Sequence, residues 1–192
     1  MPDRGRPRDV RADRAILASA LELMAEQGVH ALRIDDVAAR AGVGKATIYR
    51  RYRSKDELVV EAVGKLIDRE IEVPDSGSTR TDLLVLMREA VGFYGETLAA
   101  TVMPSIVDEL SRNEELAVLV RDGYLKGRRA ALQVVFERGI ERGDFHRELD
   151  IEFALDVLAG PLFYRLLVTA DPLDDALAQA VVDLTMRGFA PT

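Results

Sequence analysis

The apolar residues of this chain recur at intervals of three and four, and no stretch alternates convincingly at two. Side chains spaced i, i+3, i+4 share one face of a helix, whereas a half-buried strand needs strict alternation. Val and Ile stand among Ala, Leu, Glu and Arg, which are good helix formers. Gly and Pro punctuate the places where the pattern lapses. The expectation is an all-α fold.

The first helix is expected over about residues 11–27. Ile16, Leu17, Ala20, Leu21, Leu23 and Met24 form its apolar face, and Gly28 marks its end. A second runs from about Ile34 to Ala41 and stops at Gly42; a third runs from about Lys45 to Tyr52. The fourth opens at Ser54, which forms a capping box with Glu57, and continues to about Glu72. Val73–Thr79, with Pro74, Ser76 and Gly77, is the clearest break. Beyond it helices are expected over about 80–100, 104–111, 114–142, 150–169 and 173–188.

The net charge of −7 argues against nucleic acid until its distribution is read. Residues 1–56 carry twelve Lys/Arg against eight Asp/Glu, a net of +4, and the remainder carries −11. Residues 40–55 hold six basic residues and no acid. A basic patch on an otherwise acidic chain is the electrostatic footprint of a nucleic-acid contact, although a solvated helix face has the same composition. The absence of Cys rules out disulfides and thiolate metal sites. His30 and His146 lie far apart, without ligand-spaced partners, so neither metal nor cofactor is expected. The opening MPDRGRPRDV has no apolar run and does not read as a signal peptide. The longest apolar stretch, Phe153–Val168, is broken by Asp156, Gly160, Pro161 and Arg165, and falls short of the roughly 20 residues of a membrane span. A cytoplasmic protein that does not engage membranes is the expectation.

Ile34–Arg53, IDDVAARAGVGKATIYRRYR, carries the functional argument. Two short helices meet at Ala41–Gly42–Val43. Ala38 is small where the helices must cross closely, and Gly42 suits a turn of positive φ. Val37, Val43 and Ile48 are placed to lock the pair together. The second helix offers Lys45, Thr47, Tyr49, Arg50, Arg51 and Arg53. That is the pattern of a helix-turn-helix whose second helix enters the DNA major groove.

These residues resemble the TetR family of transcriptional regulators. The resemblance rests on Val37–Val43, Lys45–Tyr49 and Tyr52–Leu58, together with the preceding ILASALELMAEQG, and covers about residues 11–67. It implies a sequence-specific DNA-binding regulator: a repressor acting as a homodimer on a palindromic double-stranded operator, released by a small apolar or amphipathic effector. An architectural DNA-binding protein without a ligand is the alternative. The implied division is a DNA-binding domain over 1–56 and a helical ligand-binding and dimerisation domain over 57–192, joined by the helix 54–72. Two positions depart from the family pattern. Gly44 replaces the usual Ser or Thr before the recognition helix, and Arg33 replaces a Thr at the start of the second helix.

By the same resemblance Arg33, Lys45, Thr47, Tyr49, Arg50 and Lys55 contact DNA, with Arg50 ranked above Arg51 and Arg53. Tyr52 reads as core. Arg4, Arg6 and Arg8 form a basic arm able to follow a groove. Met87, Phe93, Tyr94, Met103, Tyr124 and Phe163 offer the bulk to surround an effector, with Glu89, Glu109 and Arg165 as polar candidates; ordinary core packing explains each one singly. The apolar helix containing Leu162, and the stripe Leu177, Ala180, Val181 and Leu184, are expected to pair two protomers. Enzymatic activity is not expected, because no acid–base cluster is visible. Gly42–Thr47 superficially suggests a phosphate loop, but Ala39 and Ala46 occupy positions that motif needs as Gly and Ser/Thr.

Overall fold

The computed structural model describes residues 10–68 and 71–191. Arg4, Arg6 and Arg8 lie outside them. The described residues form α1 (Val10–Ala31), α2 (Ile34–Ala41), α3 (Lys45–Tyr49), α4 (Lys55–Ile67), α5 (Thr79–Glu96), α6 (Leu98–Glu109), α7 (Glu114–Val118), α8 (Lys126–Arg142), α9 (Ile151–Tyr164) and α10 (Asp175–Gly188). Two π-helical segments, Leu119–Leu125 and Arg165–Thr169, follow α7 and α9. No strand occurs among the described residues, so the fold is all-α.

One compact unit gathers the described residues up to Asp68 together with Thr101–Leu119. The other gathers the stretch ending at Ala100 and everything from Val120. These units do not coincide with a division at residue 56, since α4 and much of α6 group with the N-terminal helices.

In the first unit α1 packs against α2 and α4. Ile16, Ala20 and Met24 of α1, Val37 of α2, Ile48 of α3 and Leu58, Ala62 and Val63 of α4 are buried. Gly28 interrupts α1 at φ 82° and ψ 162°, so its regular part ends where a residue with Cβ is disfavoured. Ser54 caps α4 by accepting from the Glu57 N–H at 3.0 Å. The Glu57 carboxylate reaches back to the Arg53 N–H rather than to Ser54, one residue further than a standard capping box. α4 ends at Ile67, not at Glu72. Asp68 and Glu72 would place carboxylates at the negative end of the helix dipole, and Pro74 disfavours helical backbone at Val73.

In the second unit α5 packs on α8 and α10, and α9 packs on the same two helices, giving a four-helix arrangement. Its core includes Leu83, Leu86, Tyr94, Val135, Phe136, Leu155, Leu158, Ala178 and Val182. Ser78, Asp150 and Asp174 cap α5, α9 and α10 through their side chains. Gly139 is required by close approach: a Cβ there would lie 2.6 Å from Phe145 Cδ2. Asp82 is fully buried and accepts from the Ser76 N–H at 2.9 Å, with Arg142 Nη1 3.6 Å from its other oxygen. It thereby pins the 73–79 break to α5. The single helix expected over 114–142 is instead α7, a π-helical segment and α8. No single helix among the described residues is long and apolar enough to cross a membrane.

Candidate nucleic-acid interface

The short α3 is oriented by its buried side. Ile48 is fully buried and Tyr52 nearly so, and the turn after the helix is held by Arg51 N–H and Tyr52 N–H donating to the Ile48 carbonyl. The connection from α2 depends on Gly42, which sits in the left-handed region at φ 65° and ψ 32°. Its N–H and that of Val43 close the end of α2 on Ala39 and Ala38. Gly44 enters α3 in extended conformation and contributes no side-chain cap.

With Ile48 inward, Lys45, Tyr49 and Arg50 are exposed and Thr47 is half-buried. Tyr49 leaves 56% of its surface open, an unusual position for a large aromatic in a helix that small. Lys45 Nζ lies 2.7 Å from Asp35 Oδ1, and both groups are exposed. Such a surface pair is weak, so a phosphate can take the place of the carboxylate. Arg50 has no ion partner among the described residues. Arg51 differs: its guanidinium is largely buried, pairs with Asp13 and donates to the Thr47 carbonyl at 3.0 Å. It ties α3 to α1. Arg33 is exposed at the start of α2.

Lys55 is half-buried, and its amine donates to the His30 carbonyl at 3.1 Å, at the end of α1. Arg40 is bidentate to Glu26, with both contacts at 2.7 Å, and fixes α2 on α1. Those hydrogen bonds hold the Glu26 carboxyl below the usual range. The structure therefore brings Arg33, Lys45, Tyr49 and Arg50 to the surface and leaves Thr47 at its edge. Arg51 is a positioning group, which the sequence alone shows only as one of three competing arginines.

The second unit contains a cavity of about 360 Å³. Of the residues expected around an effector, Met87, Tyr94 and Phe163 line it. Phe93 and Tyr124 are buried behind, in ring contact with Tyr94 at centroid separations of 4.9 and 6.4 Å. Met103 belongs to the other unit, because α5 ends at Glu96 and the chain starts a new helix at Leu98. Glu109 also falls in that unit; Glu89 is exposed and Arg165 donates to the Pro172 carbonyl. Sequence reasoning missed Arg128, Leu132, Leu155 and Leu158, which line the cavity. A signal was present: Arg128 shares a helix face with Leu132 and Val135, where an apolar residue is expected.

The expected pairing residues divide. Leu162, Leu177 and Val181 are buried inside the protomer, because the inner sides of α9 and α10 face the unit's own core. Ala180 and Leu184 are exposed. They share this property with Phe153 and Tyr164 of α9 and with Leu167 and Val168 beyond it.

Comparison with known proteins places this geometry. Residues 16–62 match the family described as bacterial regulatory proteins, tetR family. Residues 73–185 match the family described as the tetracyclin repressor-like C-terminal domain. An uncharacterized helix-turn-helix transcriptional regulator of Bacillus subtilis, YdeS, is 34% identical over 97% of this chain and 92% of its own. The DNA-binding transcriptional repressor TetR of Mycobacteroides abscessus is 31% identical over 88% of each chain. In structure, the chain resembles the transcriptional regulator FadR from Bacillus subtilis, crystallised with stearoyl-CoA. The TM-score is 0.72 at 18% identity, over 92% of this chain and 98% of that one.

Proposed function

The chain belongs to the TetR family of DNA-binding transcriptional regulators, and we propose that within it this protein is a ligand-responsive repressor acting as a homodimer. Each protomer sets α3 into a major groove of a palindromic operator. The observation that carries this reading is the division of α3: Ile48 is buried while Lys45 (in its surface pair with Asp35), Tyr49 and Arg50 are exposed. Lys45, Arg50 and Arg33 supply phosphate contacts, which position without reading sequence. Thr47, through its hydroxyl or methyl, and Tyr49 stand where base edges come within reach. Lys55 joins them by exchanging the His30 carbonyl for a phosphate.

The four-helix unit is the proposed sensing and pairing domain. Its cavity supports a ligand over a purely architectural role, for which a filled core would suffice. FadR, of the same fold, was crystallised with stearoyl-CoA, so the fold can accommodate an amphipathic acyl ligand. The open face formed by Phe153, Tyr164, Ala180 and Leu184 supports pairing about a two-fold axis.

Binding to duplex DNA followed by fluorescence anisotropy across a salt series tests the DNA arm. Log affinity should fall linearly with log salt, with a slope of about −0.9 per phosphate neutralised. Replacing Lys45 and Arg50 together by Ala should flatten that slope. An affinity independent of salt, or no affinity at all, would overturn the reading.

A further inference from the structure

We propose that the cavity of the four-helix unit takes an amphipathic carboxylate, its head held by Arg128 and Tyr94 and its apolar body lying along Leu132, Leu155, Leu158 and Phe163. This deepens the ligand-responsive reading and rests on it.

The walls of the cavity are mainly aliphatic and aromatic, with three charged residues among them: Arg128, Arg129 and Asp156. Arg129 is already satisfied, with Nη1 2.8 Å from Asp156 Oδ1 and Nη2 against Glu152. Its single charge is shared between Asp156 and Glu152. Arg128 is half-buried and has no carboxylate partner among the described residues. Its Nη2 donates to the Leu86 carbonyl at 2.6 Å, which leaves most of its five donors unused. An uncompensated charge against an apolar wall is unfavourable, and an anion relieves it.

Tyr94 supplies the second, independent observation. It is 1% exposed, and its hydroxyl makes no hydrogen bond of ordinary geometry, with the Tyr124 hydroxyl, likewise unpartnered, close enough to act on it. Burial pushes its phenol far above the usual range, and the Tyr124 hydroxyl nearby adds to this. The group therefore stays protonated and available as a donor. Arg128 and Tyr94 both line this cavity. A guanidinium can only donate and a phenol can donate, so an acceptor-only head suits both. The planar fork of a guanidinium matches a carboxylate. At about 30 Å³ per non-hydrogen atom, by analogy with the volume of water, the cavity holds on the order of a dozen such atoms.

Decanoate has that size, and decan-1-ol shares its tail without the charge. Calorimetric titration of the full chain should give decanoate binding at least about 10-fold tighter than decan-1-ol, as expected for charge-assisted hydrogen bonds. Arg128→Met should abolish the preference. Tyr94→Phe should weaken decanoate about 10-fold and leave decan-1-ol unchanged. Because Arg128 also holds the Leu86 carbonyl, Tyr94→Phe decides the matter if the Met variant fails to fold. Equal affinity for the two probes, no decanoate binding, or decanoate binding insensitive to both substitutions overturns the proposal. Decanoate bound through Arg128 and Tyr94 with DNA affinity unchanged sustains the site and overturns ligand responsiveness instead. DNA release by both probes alike overturns the carboxylate head and leaves the regulator reading standing.

Discussion

Arg50 and Arg51 are adjacent in sequence and have opposite surroundings. About 100° of helical rotation separates neighbouring positions, so one of the two had to turn away from any groove. The sequence ranks Arg50 first, but the inward partner of Arg51, Asp13, lies 38 residues earlier and has no local signature. The two should therefore fail differently. Arg50→Ala should leave thermal unfolding unchanged, weaken DNA binding and make the salt slope shallower by about 0.9 for each phosphate it had neutralised. Arg51→Ala should lower stability by about 2 kcal/mol, since it strands Asp13 in a partly buried site. Differential scanning calorimetry and anisotropy on the same two variants separate these outcomes. If Arg50→Ala destabilises the fold while Arg51→Ala affects only DNA binding, α3 is rotated from the orientation described.

Among the elements, the α2–α3 turn depends on one backbone conformation. Gly42 at φ 65° is in the region where a Cβ costs about 1–2 kcal/mol, and more when β-branched. Gly42→Val should lower the unfolding free energy in a urea titration by at least that amount, and Gly42→Asn by clearly less, because Asn tolerates the left-handed region. Equal effects would place the strain elsewhere. This turn was legible in the sequence because Gly42 and the buried Val37 and Ile48 act within a dozen residues. So were the break in α1 at Gly28 and the end of α2 at Gly42, although α1 resumes beyond its break to Ala31. The split of 114–142 was not legible, because a π-helical segment leaves the apolar spacing nearly intact while changing the hydrogen-bond ladder. Nor was the absence of Met103 from the cavity, since α5 ends at Glu96 where Thr97 turns extended and its hydroxyl accepts from the Ala99 N–H, a local cap that a Thr in a helical pattern does not announce. The apolar stripe of α10 was visible, but not which of its residues face inward. Leu177 and Val181 complete their own protomer's core, and only Ala180 and Leu184 remain open.

For the whole molecule, that division predicts two distinct phenotypes from two leucines of the same helix. Leu184→Asp adds a charge to the exposed face and should give a folded monomer by light scattering. Leu177→Glu buries a charge inside the protomer and should cost several kcal/mol, unfolding the second unit rather than separating dimers. A dimeric Leu184→Asp variant would put the pairing face elsewhere. A monomer should have an operator affinity lower by orders of magnitude, because the second half-site then no longer adds to the first. The proposed pairing about a two-fold axis and the proposed reading by α3 together predict that the preferred DNA is a palindrome. Selecting bound duplexes from a random library with the purified protein tests this most directly. The account predicts enrichment of an inverted repeat with half-site centres one helical turn, roughly 34–36 Å, or a multiple of it apart, abolished when Lys45 and Arg50 are replaced by Ala. A library left unenriched, or enrichment that survives those substitutions, would contradict it.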